Sequence, residues 1–302
     1  METVSALVVV QDEEFSCFNS IDSIAKLVDE VIVFEAGSFD RTEVEVRKAV
    51  SCNGNVLLVD KSKLSCTASL AEIRNYLADQ ASSDWMLWWD SDFLVSDALF
   101  NDTKPTENLI RLAKEESRDF NQILFAGANI GPVIGKDILK RPMHGSSGDT
   151  QMTRKGFMGF EVGEYVDTRF YRQDRRCRYL NYTGSSFFYH LDIKNPLRMA
   201  IRAFIHEFKR LRTLAEYSGT FGDFLLDKVG SNDKDIILGR YLSSLREKVI
   251  DFDWNRFGTL PILLNSLGKD QPFSVETGGE IRLSAAGHES VNRYRWEDLL
   301  RS

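Results

Sequence analysis

Two hydrophobic periods alternate along the first hundred residues. Ala6 to Val10 is an unbroken apolar run, as a parallel strand buried on both faces requires. Ile21, Ile24, Ala25 and Val28 then recur at helical spacing. A second strand is predicted over Val31 to Phe34, a loop over Ala36 to Asp40, a helix over Thr42 to Val50 and a third strand over Val56 to Val59. Leu70, Ile73, Leu77 and Ala81 mark a further helix, and Trp85 to Trp89 is a wholly apolar strand that ends at Asp90. This β-α-β-α-β-α-β order predicts an α/β fold with a mostly parallel central sheet and helices on both faces. Right-handed crossovers would bring the carboxyl ends of all four strands to one edge, where open α/β sheets bind their ligands.

Beyond Asp92 the pattern loosens. A helix is expected over 107–117, strands near 122–126, 168–171 and 186–190, and long loops through the Gly-rich, polar stretch 127–163. Pro196 opens a long amphipathic helix with Leu197, Ile201, Phe204, Ile205, Phe208, Leu211 and Leu214 on one face. Arg198, Arg202, Lys209, Arg210 and Arg212 lie largely on the other. From Phe221 onward the chain reads as mostly helical. The expected division is an α/β domain over 1–215, with halves 1–100 and 101–215, and a helical C-terminal extension over 216–302.

Composition changes this picture little. With 302 residues, 43% hydrophobic and 27% charged, the chain is an ordinary globular one. No apolar run approaches the roughly 18 residues of a membrane-spanning helix. The first residues lack the basic region and cleavage site of a signal peptide. Cys17, Cys52, Cys66 and Cys177 show no CxxC spacing, which points to neither a zinc site nor a disulfide framework. A cytoplasmic location is expected. The net charge of −7 is unevenly spread: Lys140 to Arg212 holds fifteen Lys and Arg against seven Asp and Glu. That bias suits an anionic partner, although a solvated surface produces it too.

The central chemical signal is Asp90-Ser91-Asp92. Two carboxylates just past a buried strand can share a hard cation with substrate phosphates. The tripeptide alone is weak, since Asp233-Lys234-Asp235 and Asp251-Phe252-Asp253 repeat it; only the first follows a run as apolar as Trp85 to Trp89. Gln11-Asp12-Glu13-Glu14 follows the first strand, Glu35 to Thr42 the second, and Arg74-Asn75 lies in the third helix. Singly these read as a solvated helix start, a capped loop and a surface arginine. Together, at one predicted edge, they read as a nucleotide site.

In order and spacing these stretches resemble glycosyltransferase family 2, whose members carry Arg-Asn-Glu-Glu, then Asp-x-Gly-Ser-x-Asp-Arg-Thr, then Ala-Arg-Asn, then Gly-Asp-Trp-x-Leu-x-x-Asp-x-Asp. The resemblance covers roughly residues 4–95. It implies a GT-A fold and an inverting enzyme that moves a sugar from a UDP- or GDP-sugar to an acceptor hydroxyl. Carried over, it assigns Val10, Gln11, Glu13, Glu35, Arg74, Asp90 and Ser91 to the nucleotide, and Asp90 and Asp92 to Mn²⁺ or Mg²⁺. His190 is the best-placed further metal ligand, ahead of His144. Asp12 stands where the family has Asn, and Glu35 where it has Asp.

The catalytic base is open. Asp167, Asp192 and Glu164 lead, with Asp149 and Glu161 behind, because the segment Tyr179 to Tyr189 holds no acid. Arg169, Arg172, Arg175, Arg176 and Arg178 suggest an anionic or phosphate-linked glycan or lipid as acceptor, with nucleic acid a minority option. The basic helix after Pro196 could lie on an anionic membrane, but packing on the sheet with its charges in water is the better expectation. A catalytically inactive sugar-nucleotide- or glycan-binding homologue is the chief rival. A sugar nucleotidyltransferase is disfavoured because Gln11 to Glu14 would repel a triphosphate. An NAD-dependent oxidoreductase is disfavoured because no G-x-G-x-x-G follows the first strand.

Overall fold

The computed structural model describes residues 2–65, 68–95, 115, 119–125, 127–130, 150–162, 168–172, 176–182, 188–191, 193–245, 271–275 and 281–302. The expected helix over 107–117 falls almost wholly outside these residues. So do His144, Asp149, Glu164, Asp167, Arg175 and Asp192.

The amino-terminal elements are those that the hydrophobic pattern predicts: β1 (Val4–Val10), α1 (Cys17–Ala25), β2 (Glu30–Glu35), α2 (Thr42–Cys52), β3 (Val56–Leu58), α3 (Leu70–Gln80) and β4 (Trp85–Asp90). There follow β5 (Phe93–Val95), β6 (Gln122–Phe125), β7 (Gly127–Ile130), β8 (Gln151–Arg154), β9 (Met158–Glu161), β10 (Thr168–Tyr171), β11 (Tyr179–Tyr182) and β12 (Phe188–Leu191). The main sheet has seven strands in the order β11-β6-β8-β4-β1-β2-β3. Only β8 runs against its neighbours. The expected mostly parallel α/β sheet is therefore present, and its register sets Val9 beside Asp90 and Val10 beside Glu35.

Strand alternation divides the core between the two faces. Val4, Ala6, Val8, Val31 and Val33 pack with Ile21 and Ile24 of α1 and Val46 and Ala49 of α2. Leu7, Ile32 and Phe34 point the other way, onto Ala71, Ile73 and Leu77 of α3 and onto Phe157 and Phe160. Helix α3 begins with a capping box between Ser69 and Glu72, which satisfies donors that a helix start leaves unpaired.

The stretch 127–163, expected as loops, instead supplies β7, β8 and β9. Each has four residues, too few to display a period. Gly127 and Gly159 mark close approach rather than a break. A Cβ on Gly127 would stand 2.2 Å from Phe188 Cζ, and one on Gly159 would stand 2.3 Å from Phe170 Cζ.

Strands β5, β12 and β7 form a separate three-stranded sheet in that order. Beneath it Phe93 and Phe188 stack at 4.3 Å, and Trp89 meets Phe93 edge-on at 5.4 Å. All three rings are buried, and burial of such side chains contributes about 2–3 kcal/mol each.

Among its described residues the C-terminal part is mostly helical, as expected, with one antiparallel strand pair. Its elements are α4 (Pro196–Thr213), α5 (Phe221–Val229), α6 (Lys234–Leu245), β13 (Phe273–Val275), β14 (Ile281–Leu283), α7 (Ala285–Arg293) and α8 (Trp296–Arg301). Leu197, Ile201, Ile205 and Phe208 of α4 share one apolar cluster with Phe221, Phe224, Leu238, Tyr294 and Trp296, and Phe39 of the β2–α2 loop packs against it. Among the described residues no helix is long and apolar enough to cross a membrane.

Candidate functional site

The loops after β1, β2 and β4 meet at one edge of the sheet, and the start of α4 closes over them. Ser20 ties α1 to that edge: its hydroxyl donates to the Asp90 carbonyl at 3.1 Å and accepts from Trp89 Nε1 at 2.9 Å.

Asp92 is the centre of the arrangement. The register of β12 against β5 sets His190 opposite Phe93, so His190 Nε2 comes within 3.0 Å of Asp92 Oδ2. Two of the three expected metal partners are thus in contact. Lys194 Nζ, however, lies 2.7 Å from the same oxygen and also donates to Glu13 Oε1. Lys194, Glu13 and Asp92 are all buried. Burial opposes ionisation of Asp92, yet His190 and Lys194 hold its carboxyl well below the usual range. Burial likewise opposes charge on Lys194, and Asp92 and Glu13 overcome it. Glu13 is pushed up to about 7, by burial first and only partly offset by Lys194.

This geometry bears directly on a metal. An ammonium fills the cation position on Asp92 Oδ2, and among the described residues no group of three or more His, Cys, Asp or Glu side chains is arranged to hold an ion. As they stand, these residues do not fit Mn²⁺ or Mg²⁺.

The residues expected at the nucleotide divide into two kinds. Asp90 is partly open, with Arg74 Nη2 at 3.8 Å from its Oδ1, and Gln11 is half-buried at the mouth of the edge. Val10, Ser91, Glu13 and Glu35 are buried. The Val10 carbonyl accepts from the Ala36 N–H at 2.9 Å. Glu35 Oε1 accepts from the Ser38 N–H at 2.6 Å, and its Oε2 pairs with Lys61 at 3.1 Å. Asn75, beside Arg74, clamps the Phe160 backbone through two hydrogen bonds of 2.8 and 3.0 Å. Glu161 is exposed at the end of β9, in a groove also lined by Glu72 and Asn75.

Asp12 anchors the first loop. Its φ is +55°, a left-handed conformation that Asn and Asp adopt more readily than other side chains. The Phe39 N–H donates to Asp12 Oδ1 at 2.6 Å, and the Tyr294 hydroxyl donates to Oδ2 at 3.2 Å. Burial raises the Asp12 carboxyl above its ordinary value, against the pull of Arg198.

Sequence reasoning missed the contribution of α4. Asn195 caps this helix through the N–H groups of Leu197 and Arg198, with Pro196 in the first turn. Arg198, Arg202, His206 and Lys209 then follow at spacings that share one face. Arg198 is buried, with Nε 3.8 Å from Asp12 Oδ2, rather than lying in water. Lys209 Nζ donates to Gln11 Oε1 at 2.7 Å. His206 is pushed down to about 3, by burial first and then by Arg198, Arg202, Lys209 and Lys194. The one sequence signal for this site was the local excess of basic residues.

No protein-family model and no curated protein matches the chain. Among solved structures it is similar to residues 1–349 of S. aureus TarS in complex with UDP, at 15% identity and a TM-score of 0.44, over 84% of this chain and 73% of that one. Another structure of the same TarS segment gives 16% identity and a TM-score of 0.44, over 80% and 71% of the two chains. Glucosyl-3-phosphoglycerate synthase from Mycobacterium tuberculosis, in complex with Mn²⁺, UDP and glucosyl-3-phosphoglycerate, gives 21% identity and a TM-score of 0.32, over 43% and 45%. Likenesses this distant leave fold and function to rest on the chain's own residues.

Proposed function

We propose that this chain is a glycosyltransferase of the GT-A type, taking its sugar from a nucleoside-diphosphate sugar. One observation carries the reading: the four motifs that resemble family 2 in order also converge in space. Gln11 and Glu13 after β1, Glu35 at the end of β2, Arg74 on α3, Asp90 at the end of β4 and Asp92 just beyond it come together where such sheets take their ligands. His190, from an element nearly a hundred residues further on, closes the group. Asp90 is the most exposed of the four acids in the group, with Arg74 beside it.

In the reaction proposed, an acceptor hydroxyl oxygen attacks the anomeric carbon as the bond from that carbon to the diphosphate oxygen breaks. The hydroxyl proton passes to a carboxylate and the nucleoside diphosphate leaves. Attack opposite the leaving group inverts the anomeric centre. The base is sought among Asp167, Asp192 and Glu164; in sequence Asp192 lies between His190 and Lys194, both of which contact Asp92.

A panel of UDP-, GDP- and dTDP-sugars tests the reading through nucleotide release and transfer to glycan acceptors, with NMR assigning the product anomer. Release or transfer from one donor class supports it. Donor binding with no release across the panel would favour a sugar-nucleotide-binding protein instead, and a retained anomer would remove the inversion.

A further inference from the structure

Resting on that reading, we infer that the donor diphosphate is held by a cation cluster of the protein, made by Lys194 with Arg198, Arg202 and Lys209 of α4, in the place of a divalent ion. Three independent features carry this. First, Lys194 Nζ sits 2.7 Å from Asp92 Oδ2, where a metal shared with phosphate oxygens would have to sit. A buried ammonium so placed presents positive charge at the position where charge builds up on the departing diphosphate. Second, Arg198 is only 8% exposed, yet neither Nε nor Nη1 has a hydrogen-bond partner among the described residues. Its nearest carboxylate, that of Asp12, stands 3.8 Å away and is shared with Phe39 and Tyr294. A buried guanidinium left so weakly compensated is costly, and an anion drawn to it offsets the cost. Third, Arg202 and Lys209 continue the same face of α4 outward to Gln11 at the mouth of the edge, and His206 among them is driven to its neutral form. The positive charge is concentrated there rather than spread.

The site suits a ligand with two adjacent phosphates: buried charge beneath, and two more open cationic side chains above. Arg and Lys supply to phosphate oxygens the charge-assisted hydrogen bonds that a metal would supply as coordination.

Calorimetric titration of the full chain with UDP, in EDTA and separately in Mn²⁺, tests the inference. UDP is expected to bind in EDTA, with Mn²⁺ changing the affinity less than about threefold. Arg202→Gln and Lys209→Gln should each weaken UDP about tenfold, while Lys209→Arg should retain most of it. Both positions lie at or near the surface of α4, so these variants should fold, which circular dichroism checks. Binding that appears only with Mn²⁺ would overturn the inference and leave the glycosyltransferase reading standing, as would EDTA-resistant binding that neither variant weakens. Absence of binding by UDP, GDP and dTDP, with and without Mn²⁺, would overturn both.

Discussion

Tyr294 donates its hydroxyl to Asp12 Oδ2 at 3.2 Å, across 282 positions of sequence. Both residues are buried, so the residue that ends α7 and the first loop of the sheet edge hold each other. Tyr294→Phe should cost about 1–2 kcal/mol. Asp12→Ala should cost more, because it loses the Phe39 contact as well and puts Ala at positive φ. Asp12→Asn should lose less than Asp12→Ala. Urea denaturation measures all three, and equal losses for Asn and Ala would show that the backbone conformation does not matter there.

Asp92→Asn should do two things. It leaves Lys194 and His190 without their shared carboxylate, at a cost of about 3 kcal/mol for breaking a buried pair. It should also abolish nucleotide release. A variant of unchanged stability would contradict the buried pairing.

Asp40 gives the edge a dependence on pH. Its carboxyl is pushed up to about 8, by burial first and then by Asp12 and Glu14. The folded value lies above the unfolded one, so the stabilisation is complete below about pH 4 and is lost as pH rises through about 8. Asp40→Asn should flatten this fall between about pH 5 and pH 8. Denaturation midpoints at both pH values measure it, and parallel curves for the two proteins would count against the assignment.

Gly127→Ala should drive a methyl group into the Phe188 ring, 2.2 Å from Cζ. The ring is held by its stack on Phe93, so the strain should cost about 1–3 kcal/mol. Phe188 lies two residues before His190, and nucleotide affinity should fall with the melting temperature. Adding Phe188→Leu should recover part of the stability. A fully stable Gly127→Ala would mean that the ring moves freely.

For the acceptor, Arg172 and Arg176 are exposed on the segments around β10 and β11. Replacing both by Gln should raise KM for a phosphate-bearing acceptor and leave UDP affinity unchanged. Unchanged acceptor kinetics would place the acceptor elsewhere.

The sheet was legible in the sequence wherever strands are buried on both faces. Ala6 to Val10 and Trp85 to Trp89 are apolar at every position, and both are central. Strands β7 to β9 were not legible, because four-residue strands carry no period and Gly127 and Gly159 read as breaks until Phe188 and Phe170 are seen across from them. Asp92 and His190, both expected as metal ligands, lie 3.0 Å apart because the register of β12 against β5 brings them together. Lys194 escaped notice because its meaning depends on Glu13, 181 positions away. Arg198 was read as part of a charged outer face; the apolar stripe of α4 was visible, but not that the neighbouring stripe faces the edge rather than water.

The docking of residues 284–301 onto the loops after β1 and β2 has a consequence for the order of synthesis. Arg295 donates from its backbone to the Phe39 carbonyl at 3.0 Å, and Arg293 reaches Glu14 at 3.5 Å. A ribosome releases the sheet long before these partners emerge. That edge must therefore stay unfinished until α7 and α8 have followed, with the Asp12 carboxyl still in water.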